Sequence, residues 1–209
     1  MKHLIKYIYI LSLGILLMGC SQTELTIKEA ELTDNEEILF DSIGKETYLF
    51  DLEGELKKGK AMSVGVEEYI YGELKDDRVL LSLGKSANED EERVEENYKK
   101  LFIMLNEDDD SQMSVDVRVS SESGFYSLAS AEIGSINVEE KAYSSDENIG
   151  EEALNLMGEN EEDERTYIAH LAISPNGAFR SFDIEHAIQP NDDYEFLYLF
   201  YVETHDYEE

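Results

Sequence analysis

The sequence predicts an all-β fold, an antiparallel β-sandwich of about ten strands with one short helix. Three observations predict it. Short runs rich in Val, Ile, Tyr and Phe recur between residues 25 and 203, many of them alternating apolar with polar residues, and turn signals separate them. Proline occurs only twice, and no Gly/Ser-rich or Ser/Pro-rich tract interrupts the runs. Aromatic side chains, 13 Tyr and 8 Phe, supply material for a core in spite of the heavy charge. The alternative is an α+β fold, should residues 88–106 form one long helix.

Taken in order, Leu25 to Leu32 begins with Leu25 and Ile27 on one face and ends with Ala30 and Leu32 on the other. That phase change predicts a strand with a bulge near Lys28–Glu29. Ile38–Ile43 and Thr47–Glu53 read as short strands joined at Gly44-Lys45, where Gly suits the first central position of a tight hairpin. Residues 53–60 are polar loop. Ala61–Leu74 is the longest strand expected, with Met62, Val64, Val66 and Ile70 on one face and Ser63, Gly65, Glu67, Tyr69 and Tyr71 on the other. Asp76-Asp77 reads as the turn into Val79–Leu83, which Gly84 ends.

Residues 88–106 support two readings. Val94, Tyr98, Leu101, Phe102 and Leu105 fit one helical face, with Asn88 and Glu91 spaced as in a capping box. Leu101–Leu105 is also a continuous apolar run, and Val115, Val117 and Val119 alternate with Asp116 and Arg118 after the turn-rich residues 107–112. The preferred reading is a helical turn or two in 89–98, then a hairpin of 100–106 with 113–120. Phe125–Leu128 and Ala131–Val138 predict weaker strands broken by Gly134. Residues 139–165 carry eleven acidic and two basic residues. Ile149, Ala153 and Leu156 share a helical face there, with Gly158 placed to end it, which predicts the one short helix.

Thr166–Ser174 and Ala178–Asp183 flank Pro175-Asn176-Gly177 and predict a hairpin. Tyr194–Glu203 carries Tyr194, Phe196, Tyr198, Phe200 and Val202 on one face and Leu197, Leu199 and Tyr201 on the other. Such a strand belongs inside a sheet covered on both sides, or else its outer face is a contact surface. Residues 166–209 number only 44, too few to fold well alone, so they pair back onto the N-terminal body.

The start of the chain has a different character. Lys2 and Lys6 precede or interrupt an apolar run ending at Met18, and no acidic residue appears before Glu24. A helix over residues 7–18 spans roughly 18 Å at ~1.5 Å per residue, short of the ~30 Å hydrocarbon core. Leu17-Met18-Gly19-Cys20 closes the run, and this resembles the lipobox of bacterial lipoproteins. Leu17 and Met18 fill its first positions, Gly19 is the small residue before the cleaved bond, and Cys20 is the acceptor. The resemblance implies cleavage before Cys20, a diacylglyceryl thioether on its sulfur and an acylated new N-terminus, with fatty chains of the palmitate type. Two or more chains suffice for stable anchoring at about 0.8 kcal/mol per buried CH₂. Three segments follow: 1–19 signal peptide, 20–24 lipidated terminus and short tether, and 25–209 a single acidic β-rich domain.

Composition narrows the partners. The mature chain would hold 190 residues with 15 basic against 49 acidic, a formal charge of −34. No nucleic acid is expected as a partner, since phosphate contacts need clustered Lys and Arg. Anionic headgroups attract basic segments, so the membrane is engaged through the lipid alone. Cys20 is the only cysteine, so the mature domain has no disulfide and no thiolate nucleophile.

Catalytic patterns are missing. His170, His186 and His205 lack metal-ligand spacing, and no nucleophile elbow or phosphate-binding glycine loop occurs. His170 shares a face with Ile168 and Ala172 and reads as a half-buried structural histidine. Glu68 stands out because it interrupts the apolar face of Val66 and Ile70. The bland reading is a strand end or bulge that lets it reach solvent. Asp108–Asp110 and Asp146–Gly150 lack the Gly or terminal Glu of a calcium loop, so no metal or other cofactor is expected. Tyr69, Tyr71, Tyr194 and Tyr198 are the candidate binding surface. The expectation is a lipid-anchored, extracytoplasmic, non-catalytic accessory or binding module at the outer face of a bacterial cell membrane, acting through a sheet surface on a protein or envelope component. Its rivals are an extracytoplasmic hydrolase using Glu68, His170 or His186, and a cation-binding surface protein.

Overall fold

Alternation along each strand decides which side chains the two sheets trap between them. The computed structural model describes residues 24–33, 46–84, 98–107, 112–121, 124–135, 142–147, 154–156, 165–175 and 182–207. Within them the strands, in chain order, are β1 (Thr26–Glu29), β2 (Glu46–Glu53), β3 (Lys60–Ile70), β4 (Glu73–Gly84), β5 (Tyr98–Glu107), β6 (Gln112–Ser121), β7 (Gly124–Ser135), β8 (Ala142–Glu147), β9 (Leu154–Asn155), β10 (Thr166–Ser174) and β11 (Phe196–Asp206). One short helix, α1 (Ile184–Ala187), precedes β11. A six-stranded sheet runs β7-β6-β5-β2-β1-β9 and a five-stranded sheet runs β4-β3-β11-β10-β8. Every strand pairing is antiparallel. The molecule is the all-β sandwich that the patterning predicts.

The main core draws on both sheets, with Phe50, Leu101 and Val117 on one side and Val64, Val66 and Phe200 on the other. Full burial of a side chain of this size stabilises by roughly 1.5–3 kcal/mol. Tyr48 crosses the core, its ring centroid 5.9 Å from that of Phe200. Its hydroxyl donates to the His170 carbonyl at 2.7 Å, which links the sheets through a buried hydrogen bond.

A second apolar cluster lies on the outer face of the five-stranded sheet. Tyr69, Ala172, Leu197 and Leu199 are covered there by Ala187 and Tyr194, with Phe182, Ile184 and Ile188 packed alongside. Asp183 caps α1 by accepting from Glu185 N at 3.0 Å. Asn191 then fixes the return to β11, accepting from Tyr194 N at 3.1 Å and donating to Ala187 O at 3.2 Å. β11 therefore lies inside the sheet with apolar side chains buried on both faces, as its composition requires.

Several elements differ from expectation. The hairpin after β3 turns at Tyr71-Gly72, not at Asp76-Asp77, because both Tyr71 (φ 50°) and Gly72 (φ 74°) adopt the left-handed region that a two-residue type I′ turn needs. Asp76 and Asp77 instead sit within β4, opposite Glu68 and Glu67. β1 pairs regularly with β2, so the predicted bulge near Lys28 is not there; the phase changes where the strand ends. β5 runs as strand from Tyr98, which removes the single long helix over 88–106, and it pairs with β6 as the preferred hairpin does. The helical turns of 89–97 lie outside the described residues, as does Ile38–Ile43. β7 is one strand through Gly134, where the pairing slips instead of breaking. Leu154-Asn155 is strand paired to β1, not the end of a helix, and 142–147 is strand in what reads as a surface crossing. β10 is flanked by β8 and β11, so no edge remains for a hairpin with 178–183.

Candidate functional site: a clamp of arginine, carboxylates and tyrosines

β3 alternates so that Ser63, Gly65, Glu67 and Tyr69 face outward from the five-stranded sheet. Glu67 would be a costly outward residue to bury, yet only 4 % of it is exposed. Its neighbours explain this. Arg165, just ahead of β10, hydrogen-bonds one carboxylate oxygen. The other oxygen accepts from Tyr69 Oη at 2.7 Å and Tyr167 Oη at 3.0 Å. Arg165 also pairs with Asp77 at 2.9 Å and Glu203 at 3.2 Å. One guanidinium thus holds carboxylates from β3, β4 and β11.

A stack sets the height of that guanidinium. Gly65 lies opposite Tyr201 in the β3–β11 register. The Tyr201 ring occupies the space where a Cβ on residue 65 would fall, 2.2 Å from Cζ. The Arg165 guanidinium lies over the ring, 4.2 Å from its centroid. The Tyr201 hydroxyl donates to Asp77 at 3.0 Å and ties the ring to β4. Tyr167 reaches the cluster because the β10–β11 pairing slips between Tyr167 and Ala169.

The electrostatics fix the protons. Burial opposes the charge on Arg165, but hydrogen bonds to Asp77 and Glu67 outweigh it and hold the guanidinium more firmly protonated than usual. Burial, then the charge of Glu67, pushes the Tyr167 hydroxyl up to about 12. Tyr69 and Tyr201 are likewise raised, by burial first and then by hydrogen bonds to Glu67 and Asp77 respectively. Each hydroxyl therefore stays a donor at neutral pH. Both oxygens of Glu67 already accept, so the arrangement clamps four neighbouring strand segments together.

Glu68 points to the opposite face, between the sheets. Its side chain is 17 % exposed, with Arg78 at 3.9 Å and the Tyr198 hydroxyl at 3.5 Å. Burial raises its pKa, against the opposing charge of Arg78. Arg78 also pairs with Asp76 and donates to the Glu132 carbonyl of β7 at 2.8 Å, joining the two sheets at this side. The pairing of β3 with β4 slips between Glu68 and Tyr69, the bulge that sequence suggested, although Glu68 remains half-buried.

The four tyrosines proposed as a surface are not brought together. Tyr69 is buried under the α1 segment, Tyr194 is buried within that covering segment, and Tyr198 is wholly buried on the inner face opposite Glu68. Of these, Tyr71 alone is exposed, at the hairpin tip. Their alternation places Tyr69 and Tyr198 on opposite faces of one sheet, so no platform of both can form. His170 is buried on the outer face, stacked on Phe182 at 3.6 Å, and burial lowers its pKa to about 4. Ile168 does not share its face; the slip after Tyr167 turns Ile168 into the main core. His186 is exposed and pairs with Asp193 at 3.0 Å. Glu68 and His170 thus face opposite sides of the sheet.

Leu17, Met18, Gly19 and Cys20 lie outside the described residues, as do Asp108–Asp110. Among the described residues no group of three His, Cys, Asp or Glu side chains is placed to hold a metal ion, and no helix is long and apolar enough to cross a membrane.

Neither a curated protein nor a solved structure matches this chain. A family model for the YgaN domain matches residues 26–204, which takes in almost the whole of both sheets and the clamp on the outer face of the five-stranded one, and the chain belongs to that family.

Proposed function

We propose that the protein is a lipid-anchored, extracytoplasmic accessory module that binds a partner without catalysing a reaction. The observation that carries the anchor is Leu17-Met18-Gly19-Cys20 at the end of a short apolar leader, with Cys20 the only cysteine. Support for a binding role comes from how the densest polar cluster is used. Glu67 accepts from Arg165, Tyr69 and Tyr167 while Asp77 accepts from Tyr201, so these polar groups are committed to holding the sheet together.

Mass measurement of the mature N-terminus tests the anchor. The expected chain begins at an acylated Cys20, and Cys20→Ala prevents both lipidation and the coupled cleavage. A mature chain beginning elsewhere overturns the proposal. Localisation alone decides less, because the uncleaved precursor of the variant stays in the membrane through its leader.

A further inference from the structure

The outer face of the five-stranded sheet is covered unevenly. Phe182 to Glu195 packs over Tyr69, Ala172, Leu197 and Leu199, while the outward side chains of β4, Leu74, Asp77, Val79 and Ser82, are exposed. Of the seven exposed large apolar side chains among the described residues, four belong to this side: Tyr71 (42 %), Leu74 (53 %), Val79 (51 %) and Tyr207 (40 %). Register puts Leu74 and Val79 on the outer face, opposite Tyr69 and Gly65. The Tyr207 ring lies where a Cβ on Gly84 would fall, at the far end of the same strand. Leu74 and Val79 thus lie on β4 itself, with Tyr71 in the turn before it and Tyr207 over its end, and apolar side chains exposed near one another mark a contact surface better than the same number scattered.

Charge identifies the occupant. In the middle of the strip Arg165 faces Glu67, Asp77 and Glu203, which leaves two negative charges over. The whole chain carries −32. A second copy would bring the same surplus against it, whereas a basic segment gains attraction both at long range and on contact. The surface is also pre-formed. Tyr71 N donates to Glu195 O at 3.2 Å and Tyr71 O accepts from Asn191 N at 3.1 Å, so the exposed ring sits on a backbone fixed at both sides.

We infer that the bare outer face of β4, from Tyr71 through Leu74 and Val79 to Tyr207, docks a basic, partly apolar segment of a partner protein. This rests on the binding-module reading above and supplies its surface and partner class.

The test uses the full chain in phosphatidylcholine nanodiscs and a short fluorescent peptide of alternating lysine and valine, read by anisotropy. The peptide is expected to bind, and a lysine–serine peptide of equal charge to bind about tenfold more weakly. Leu74→Asp with Val79→Asp is expected to weaken binding about tenfold, while Leu128→Asp on the other sheet leaves it unchanged. The sign discriminates, because added aspartates would strengthen attraction that depended on net charge alone. Leu74→Ser with Val79→Thr, checked by its melting midpoint, gives the same loss without added charge should the aspartates disturb the strand. Absence of binding, equal weakening by Leu128→Asp, or binding undiminished in both strip variants overturns the proposal. A dimer in sedimentation at raised salt, abolished by the strip variants, overturns it in favour of a second copy. The N-terminal mass of the same sample reads the anchor separately, so the two proposals fail independently.

Discussion

At the scale of single residues, Gly65 and His170 make the sharpest statements. Gly65→Ala drives a methyl into the Tyr201 ring, and lifting that ring removes both the Asp77 hydrogen bond and the seat of Arg165. The expected cost is about 1–3 kcal/mol in a urea melt; a loss under about 0.5 kcal/mol would mean that the ring moves aside freely. His170 titrates near 4 when folded because burial disfavours its charge. The unfolded imidazole takes its proton near 6.5. Between those values the unfolded state binds the extra proton, so this residue lowers stability as pH falls from about 6.5 towards 4. His170→Phe, which retains an aromatic ring against Phe182, should flatten that part of the stability profile, and an unaltered slope would contradict it. Sequence disclosed part of the clamp. The alternation of β3 puts Glu67 beside Tyr69 on one face, but Arg165 is separated from Glu67 by 98 residues and follows an acidic stretch. Nothing local connects them. The role of Tyr201 was hidden too, because it depends on Gly65 standing opposite, which only register reveals.

At the scale of elements, the β3–β4 hairpin stores strain. A tyrosine at φ 50° costs more than glycine or asparagine there, and strain of this kind persists where surrounding structure or function holds it. Tyr71→Asn gives the favoured Asn-Gly pair with Gly72, and stability should rise by roughly 1 kcal/mol. The same variant should bind the basic probe less well, separating the two roles of the residue. An unchanged or lowered melting midpoint would show the tip is not strained. β11 makes a different prediction: its amides, paired on both sides and buried on both faces, should be among the slowest to exchange. Fast exchange across 197–202 while β3 stays protected would count against its central place. Strands with strong alternation or dense apolar runs were legible, as β3, β6, β10 and β11 show. The turn at Tyr71-Gly72 was not, because a single glycine after a bulky residue signals less than Asp76-Asp77, whose part-exposed charges pair with Arg78 and Arg165 within the strand. β8 was hidden for another reason: Ser144, Ser145 and Asp146 carry no apolar pattern, and pairing with β10 alone makes them a strand.

At the scale of the molecule, charge and height matter most. Lys28, Lys57, Lys60, Lys75 and Lys100 each pair with a carboxylate, mostly near solvent where such pairs contribute little. The surplus of acidic residues remains, and folding draws it together. Added NaCl should therefore raise the melting midpoint, with Ca²⁺ and Mg²⁺ equivalent at lower concentrations, since the Debye length is still about 8 Å at 0.15 M. A flat salt series would refute the repulsion, and a response confined to micromolar Ca²⁺ would point to a specific site. Height follows from which end of the sandwich the chain enters. Glu24 bridges to Glu55, and Tyr207 N bonds Gly59 O, both beside the start of β3. Tyr71 stands at the other end, eleven residues of β3 away, roughly 35 Å at ~3.3 Å each. Cys20 precedes Glu24 by only four positions, a reach of at most about 14 Å. Lipid on Cys20 would hold this end of the sandwich within that reach of the headgroups, and an upright sandwich would then keep the hairpin tip clear of them. A partner embedded in the bilayer would then meet Tyr207 first, and one arriving from outside would meet Tyr71. Energy transfer from a dye at the tip to acceptor lipids would distinguish the upright sandwich from one lying flat.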